Sequence, residues 1–179
     1  MENEIIAIYC WCELILNQLN IKDDCRAEMN NAEVLTAAIV AARFFFSNFQ
    51  ITCKFLQEHR YIPKMLSKSR FNRRLHALGP ELIGDIQKII GELFKSLNPT
   101  QEYAVDSFPV HVCENVRIFH SKIYTAEEYR GYQASKKRYF YGVKVHMVVT
   151  VDGKQVEFIL SPGSCSDIKA FKRLDLDLP

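Results

Sequence analysis

The first half of the chain carries apolar residues at the spacing of amphipathic helices. Apolar positions recur at steps of three and four from Ile5 to Leu19, which predicts a helix that ends near Asn20. Asn30 and Glu33 have the spacing of a capping box, in which each residue caps the other at a helix start. This pair predicts a second, alanine-rich helix whose small side chains permit close packing.

Three more helices are predicted before residue 98. Ser47 or Asn48 is expected to begin a helix that runs to about residue 59, and Ser67 is expected to begin a helix with Phe71 on its inner face. Gly79-Pro80 separates that helix from the last one, because glycine suits a helix exit and proline suits a first turn. The apolar face of the last helix consists of Leu82, Ile86, Ile89, Ile90, Leu93 and Leu97.

The pattern changes from helical to β after a linker at residues 98–101. Segments 102–113 and 139–151 alternate and are rich in β-branched residues, and Asp152-Gly153 is a hairpin signal that leads into segment 154–160. Ser166 is expected to cap a short helix over residues 167–174. The sequence therefore predicts an α+β fold, with an all-helical domain over residues 1–98 and a three-stranded meander within residues 102–179.

The composition is that of a folded globular protein. Of the 179 residues, 48% are hydrophobic and 25% are charged, and only 7 glycines and 6 prolines are present, too few for a disordered or collagen-like chain. No apolar run approaches the roughly 18 residues of a membrane span, and the first residues lack the basic segment of a signal peptide. We therefore expect a cytoplasmic protein with no membrane partner.

The six cysteines lack the spacing of a metal site. They contain no C-x-x-C pair, and four of them lie in apolar helical segments. A disulfide framework requires an oxidising compartment, to which no export signal directs this chain. The pattern therefore favours free, buried thiols at Cys10, Cys12, Cys25, Cys53, Cys113 and Cys165.

Charge is distributed unevenly although the net charge is only +2. Residues 1–33 contain seven acids and two bases, whereas residues 54–76 contain seven bases and one acid. A second basic block contains no acid and consists of Arg130, Lys136, Lys137, Arg138 and Lys144. Two separate positive segments on a nearly neutral chain favour a polyanionic partner.

The helix predicted to begin at Ser67 has the features of a DNA-recognition helix. While Phe71 faces inward, four bases on the other faces are free to meet phosphates: Lys68, Arg70, Arg73 and Arg74. The preceding helix, the turn at Pro63 and this basic helix have the outline of a helix-turn-helix motif. A solvated basic face explains the same residues equally well.

Asp106 is a candidate metal ligand because an unpaired carboxylate in an apolar strand is costly. A cation such as Mg²⁺, which takes oxygen ligands, would compensate it. The alternative is an aspartate at a strand end that bonds the following Ser-Phe-Pro turn. Lys144 and His146 lie two residues apart on a predicted strand, so both face one side and could contact a phosphate there, or simply face solvent.

Tyrosines alternate with bases between the first two predicted strands. Tyr124, Tyr129, Tyr132 and Tyr139 are interleaved with Lys122, Arg130 and Lys136. Such a mixture suits stacking on nucleobases and pairing with phosphates. A tyrosine-rich loop that packs on its own sheet is an equally good explanation.

Three motifs in order resemble bacterial insertion-sequence transposases of the DDE class. They are V-D-S-F-P-V-x-V-C at residues 105–113, K-x-x-Y-F-Y-G-x-K-x-H at residues 136–146 and S-D-I-K-A-F at residues 166–171. The order of a helical region before the strand with the first aspartate is also similar. The resemblance implies a ribonuclease-H-like mixed α/β catalytic domain whose first strands form an antiparallel meander.

The resemblance also implies the roles of particular residues. The family uses two aspartates and one glutamate to hold two Mg²⁺ or Mn²⁺ ions, which activate water or a 3′-hydroxyl for attack on a DNA phosphodiester. Asp106 matches the first aspartate and is the implied catalytic metal ligand. Lys144 and His146 match the G-x-K-x-H strand of the family, as positioning or phosphate-contacting groups and not as metal ligands, and Lys137 is a further implied phosphate contact. Asp167 matches a separate family aspartate before a helix, with a supporting role.

The second aspartate and the glutamate of the family have no match in this chain. Both are expected beyond Pro179, so that the chain would be the N-terminal part of a transposase from an interrupted or frameshifted gene. We therefore expect the isolated chain to cleave no DNA and to need Mg²⁺ or Mn²⁺ only within a complete catalytic domain. A second polypeptide made by frameshifting could complete that domain.

Two other functions fit the same residues. One is a DNA-binding module that recognises element ends through the basic helix and performs no chemistry. The other is a helical interaction protein whose N-terminal bundle forms dimers through its apolar faces. The expected partners are thus double-stranded DNA at the terminal repeats and a second copy of the chain in a homodimer.

Overall fold

A computed structural model describes residues 1–174 as helices followed by an antiparallel sheet. The helices that precede the sheet are α1 (Glu2–Gln18), α2 (Asn31–Phe44), α3 (Phe49–Glu58), α4 (Lys68–Ala77) and α5 (Gly79–Ser96). They are followed by β1 (Tyr103–Glu114), β2 (Arg130–Gln133), β3 (Arg138–Thr150), β4 (Gln155–Pro162) and α6 (Asp167–Phe171). The predicted α+β class is confirmed, and the arrangement is consistent with part of a ribonuclease-H-like domain.

The predicted capping residues form side-chain caps at α2 and α3 but not at α4 and α6, where Ser67 and Ser166 stand at the N-cap without a side-chain cap hydrogen bond. The Asn30 side chain accepts a hydrogen bond from the Glu33 amide (2.7 Å), and the Glu33 carboxylate accepts one from the Asn30 amide (2.8 Å), so the predicted capping box is present. Asn48 caps α3 by accepting a bond from the Ile51 amide (3.2 Å). Gly79, with a φ of 77°, lies between α4 and the body of α5, where its freedom at positive φ is needed.

The chain divides into two compact units, Met1–Ile86 and the residues from Gln87 onward. In the first unit, Val34, Val40, Leu56 and Phe71 are fully buried at the centre of one apolar cluster. No single helix within residues 1–174 is long and apolar enough to cross a membrane, although α2 and α3 pass that test as a pair bent by 113°. The predicted domain ranges, 1–98 and 102–179, stay a prediction.

The sheet of the second unit is a meander with one added strand. Within residues 1–174, β3 pairs with β1 on one side and with β4 on the other, both antiparallel. The three predicted strands are present as β1, β3 and β4. The prediction of only three strands was wrong, because a fourth strand, β2, pairs with the start of β3. Only four residues long, β2 is too short to show an alternating pattern.

The second unit has its own core. Phe140 and Val148 on β3 and Val156 at β4 are buried, and the Phe140 ring stacks on His111 with centroids 4.5 Å apart. The C-terminal half of α5 lies against β4, where the Gln155 side chain donates a hydrogen bond to Gln87 (2.9 Å).

The cysteines are free thiols in the part of the chain that the structure describes. Cys12 and Cys53 are buried, as predicted, and burial raises the pKa of both thiols. The prediction of burial was wrong for Cys10, which is exposed on α1, and for Cys25, which is exposed because it lies in a polar turn between α1 and α2; Cys113 and Cys165 are half-buried.

Candidate active site

Asp106 lies on β1 with an exposed carboxylate. Its Oδ1 accepts a hydrogen bond from the amide of the next residue, Ser107 (2.7 Å), whereas its Oδ2 has no hydrogen-bond partner in residues 1–174. No lysine, arginine or histidine of that range pairs with it. The alternative of a strand end before a Ser-Phe-Pro turn was wrong, because Asp106 lies inside β1 and residues 107–109 continue that strand. The bond to Ser107 leaves one oxygen of Asp106 available to a ligand.

Asp167, the first residue of α6, joins two strands of the sheet. Its Oδ1 accepts a hydrogen bond from the Ser107 hydroxyl on β1 (3.0 Å) and lies 3.5 Å from the Lys144 ammonium on β3. Lys144 also donates to the Cys165 carbonyl (3.1 Å) and is only 19% exposed. Asp167 thus contacts both β1 and β3, and its supporting role stays a prediction.

His146 lies beside Asp167 in a buried polar network. The His146 Nδ1 is 3.7 Å from the Asp167 carboxylate, and its Nε2 is 2.7 Å from the Ser161 hydroxyl on β4. Both His146 and Ser161 are 2% exposed. Because both ring nitrogens face protein partners, the geometry gives His146 a positioning role for Asp167, and its predicted phosphate contact stays a prediction.

A shallow pocket of about 340 Å³ collects these side chains on one surface of the second unit. Its lining consists of Val105, Asp106, Ser107, His146, Asp167, Ile168 and Phe171. Lys144 does not line the pocket but forms an ion pair with Asp167, which does. The structure therefore brings together Asp106, Asp167, His146 and Lys144, which lie up to 61 residues apart in the sequence.

The described residues do not by themselves form a two-metal centre. Within residues 1–174, no group of three or more histidine, cysteine, aspartate or glutamate side chains could hold a metal ion. Asp106 has a free oxygen, but the charge of Asp167 is already offset by Lys144. A single free carboxylate can bridge two ions about 4 Å apart, but it supplies too few ligands to hold both of them.

The predicted DNA-contacting bases of α4 fall into two groups in the first unit. Arg70 pairs with Glu28 (3.1 Å), and Arg74 donates to the buried Asn31 side chain (2.7 Å), so both hold the helix against the rest of the unit. Lys68 and Arg73 are exposed and have no ion pair within residues 1–174. These two bases are the ones that remain free to meet a phosphate.

The sequence patterns do not indicate Ser107, Ser161 or Cys165 as site residues. Ser107 follows Asp106 directly and is opposite His146 in the strand register, but that register is visible only once the strands pair. Ser161 is polar in an otherwise apolar strand, which is a weak signal of a buried partner. Cys165 contributes its backbone carbonyl, which no sequence pattern can indicate.

We expect the stability of the chain to fall as the pH drops from 7.5 to 5.5. Burial, followed by the positive charge of Lys144, lowers the pKa of His146, although Asp167 opposes the shift. The unfolded chain takes up a proton near the ordinary histidine pKa of about 6.5, whereas the folded chain resists it. Stabilisation is therefore present above that pH and decreases below it.

Thermal unfolding at several pH values checks this expectation. His146→Gln should flatten the pH dependence, and a residual slope of the same sign should remain because burial also lowers the pKa of His111. The control is His120→Gln, which makes the same replacement at an exposed histidine. An unaltered slope in His146→Gln would contradict the assignment.

Residues 95–178 match the family model described as "Transposase DDE domain". The matched segment begins in α5 and includes every side chain of the pocket. The search of curated proteins and the search of solved structures found no match for the chain. The second unit is therefore similar to the DDE domain of transposases, which supports a transposase function.

Proposed function

We propose that this chain is an insertion-sequence transposase component that binds DNA at element ends and serves the metal-dependent cleavage and transfer of DNA strands. The observation that carries the proposal is the grouping of Asp106, Lys144, His146 and Asp167 around one pocket within the segment similar to a DDE domain. Transposase DDE domains generally use divalent metals, and Asp106 is the proposed ligand that this chain contributes.

Lys144 is the proposed phosphate-contacting group of the pocket. An ammonium group has three N–H donors, of which one is directed to the Cys165 carbonyl and one lies toward Asp167. The third remains for a phosphate oxygen of the bound strand. Asp167 holds the ammonium in place, and the His146–Ser161 pair holds Asp167 from the buried side.

The helical unit supplies the proposed contact with duplex DNA. The exposed bases Lys68 and Arg73 lie on α4, the second helix of the helix-turn-helix-like segment. The contacts of Arg70 with Glu28 and of Arg74 with Asn31 keep that helix in position. Duplex binding without chemistry is the alternative function, and it rests on the same two side chains.

The homodimer, a second polypeptide that completes the catalytic domain, the absence of strand cleavage by the isolated chain and the cytoplasmic location stay predictions. None of them changes which residues are expected to touch DNA.

Binding of the full chain to a fluorescein-labelled blunt 20-bp duplex tests the proposal. We expect the affinity to fall with salt, with the slope of log K against log salt reduced by about 0.9 for each phosphate contact that is removed. Lys68→Gln combined with Arg73→Gln should therefore weaken binding and lower the slope. The readout is fluorescence anisotropy between 50 and 200 mM salt.

The matched control removes one lysine and one arginine elsewhere in the same unit. Lys22→Gln combined with Arg26→Gln makes the same charge change within the acid-rich segment of residues 1–33. It should leave the salt slope close to that of the unaltered chain. Equal losses in the two double variants, or no duplex binding at all, would refute a contact through α4.

A further inference from the structure

Two tyrosines and one arginine form a group of exposed side chains in mutual contact on the hairpin of β2 and β3. Tyr132 and Tyr139 are opposite each other in the strand register, and their ring centroids are 5.0 Å apart. The Arg130 guanidinium lies 4.7 Å from the centroid of the Tyr139 ring. We call Arg130, Tyr132 and Tyr139 the tyrosine platform.

Contacts of the hairpin with neighbouring residues hold the platform in place. The Arg130 guanidinium pairs with the Glu127 carboxylate (3.0 Å), which also accepts a hydrogen bond from the buried Tyr141 hydroxyl (3.2 Å). On the opposite face of the hairpin, Phe140 is buried against His111. Phe140 therefore anchors one face of the hairpin, while on the other face Glu127 and Tyr141 hold Arg130 beside the exposed tyrosines.

The outward rings are available to a ligand. Tyr132 is 50% exposed and Tyr139 is 51% exposed. Tyrosine rings beside a cation offer flat π surfaces of the kind on which nucleobases stack. The platform lies apart from the Asp106 pocket, whose lining includes neither tyrosine. It therefore constitutes a separate surface.

The turn beside the platform carries positive charge without counter-ions. Lys136 and Lys137 are exposed, and neither forms an ion pair within residues 1–174, whereas Arg138 pairs with Glu114 (3.1 Å). Free ammonium groups next to exposed aromatic rings match both parts of a nucleic acid strand, because the bases can stack on the rings and the phosphates can meet the lysines. A proline-rich peptide would use the rings but would leave the lysines without a role.

We infer that the tyrosine platform binds an unpaired DNA strand, with bases stacked on Tyr132 and Tyr139 and backbone phosphates on Lys136 and Lys137. The inference rests on the proposed function in taking DNA as the strand. It adds a second DNA contact, one that reads unpaired bases rather than duplex. Bases inside a duplex are already stacked, so they cannot cover the rings in the same way.

Binding of the full chain to fluorescein-labelled dT15, compared with the 20-bp duplex, tests the inference. Tyr132→Leu combined with Tyr139→Leu should weaken dT15 binding by about a hundredfold, because two stacked bases are lost and each costs about tenfold. Affinity for the duplex should be unchanged. The matched control is Tyr132→Phe combined with Tyr139→Phe, which keeps the rings and should keep dT15 affinity.

A second variant tests the lysines without straining the turn. Lys137 has a φ of 49°, a left-handed conformation that glycine adopts at lower cost. Lys136→Gln combined with Lys137→Gly should therefore preserve the hairpin and lower the dT15 salt slope by up to about 1.4, since each phosphate contact to a single strand contributes about 0.7. Circular dichroism melting shows whether each variant is folded.

The outcomes separate this inference from the proposed function. Absence of dT15 binding, or equal dT15 binding by the leucine variant and the unaltered chain, overturns the inference, while duplex binding that depends on Lys68 and Arg73 leaves the proposed function standing. Parallel losses for dT15 and duplex also overturn it. Tighter platform-dependent binding of a labelled decaproline than of dT15 would assign the surface to a peptide instead.

Discussion

Phe71→Ala is expected to lower the free energy of unfolding of the helical unit by about 3–5 kcal/mol. Phe71 is fully buried on α4, and its ring packs edge-on against that of Phe49 with centroids 5.3 Å apart. Alanine removes the apolar surface that the ring buries and leaves a cavity among helices that can only partly close. A loss of this size is a large fraction of the stability of a typical domain.

Urea denaturation followed by the fluorescence of Trp11, the single tryptophan, reports on this unit because α1 carries it. The matched control is Phe46→Ala, which makes the same chemical change at a side chain that is 99% exposed. It should leave the midpoint nearly unchanged. Coincident transitions for the two variants would contradict the assigned core position of Phe71.

Gly142→Ala is expected to destabilise the sheet by about 2–3 kcal/mol. A side-chain carbon at residue 142 would collide with the backbone carbonyl of Val110 and lie 3.1 Å from the amide nitrogen of Val112. Backbone atoms of a paired strand cannot move aside as a flexible side chain can. The register between β1 and β3 also shifts at this point, between His111 and Cys113.

The control is Gly84→Ala, because a side-chain carbon there would meet nothing within 4 Å. Gly84 lies inside α5, where alanine is favoured over glycine by up to about 1 kcal/mol, so this variant should be neutral or more stable. Hydrogen exchange of the β3 amides and thermal melting measure both variants. Gly142→Ala with the protection and melting temperature of the unaltered chain would show that the strands can separate at low cost.

Gly142 also affects the candidate active site. It precedes Lys144 by two residues on β3, so a displaced β1 would move Ser107 away from Asp167. We therefore expect Gly142→Ala to change the environment of the Asp106 pocket as well as stability. The glycine of the Y-G-x-K-x-H motif is thus explained by the approach of β1.

The helical part of the fold was predictable because its signals are local. The Asn30–Glu33 capping box, the Asn48 cap and the Gly79 exit each concern residues within four positions of one another. Helix periodicity likewise depends on neighbours in the sequence. For the sheet, alternation located β1, β3 and β4 but not the four-residue β2, whose place depends on pairing with β3.

The candidate site was predictable only in part. Strand parity placed Lys144 and His146 on one side, and in the structure both side chains reach Asp167. Strand parity did not indicate which residue either side chain would contact. The expectation of free bases on α4 could not separate Arg70 and Arg74, which bond to the first unit, from Lys68 and Arg73, which do not.

By itself the sequence determined the α+β class, the helix caps and the motifs that resemble a DDE transposase, because these depend on residue type and short-range spacing. Only the tertiary structure decided that Ser107, Lys144, His146 and Asp167 form one network, because hydrogen bonds between strands depend on register. It also decided that Tyr132 and Tyr139 face outward together. Burial and pairing are properties of the folded chain, which no local pattern contains.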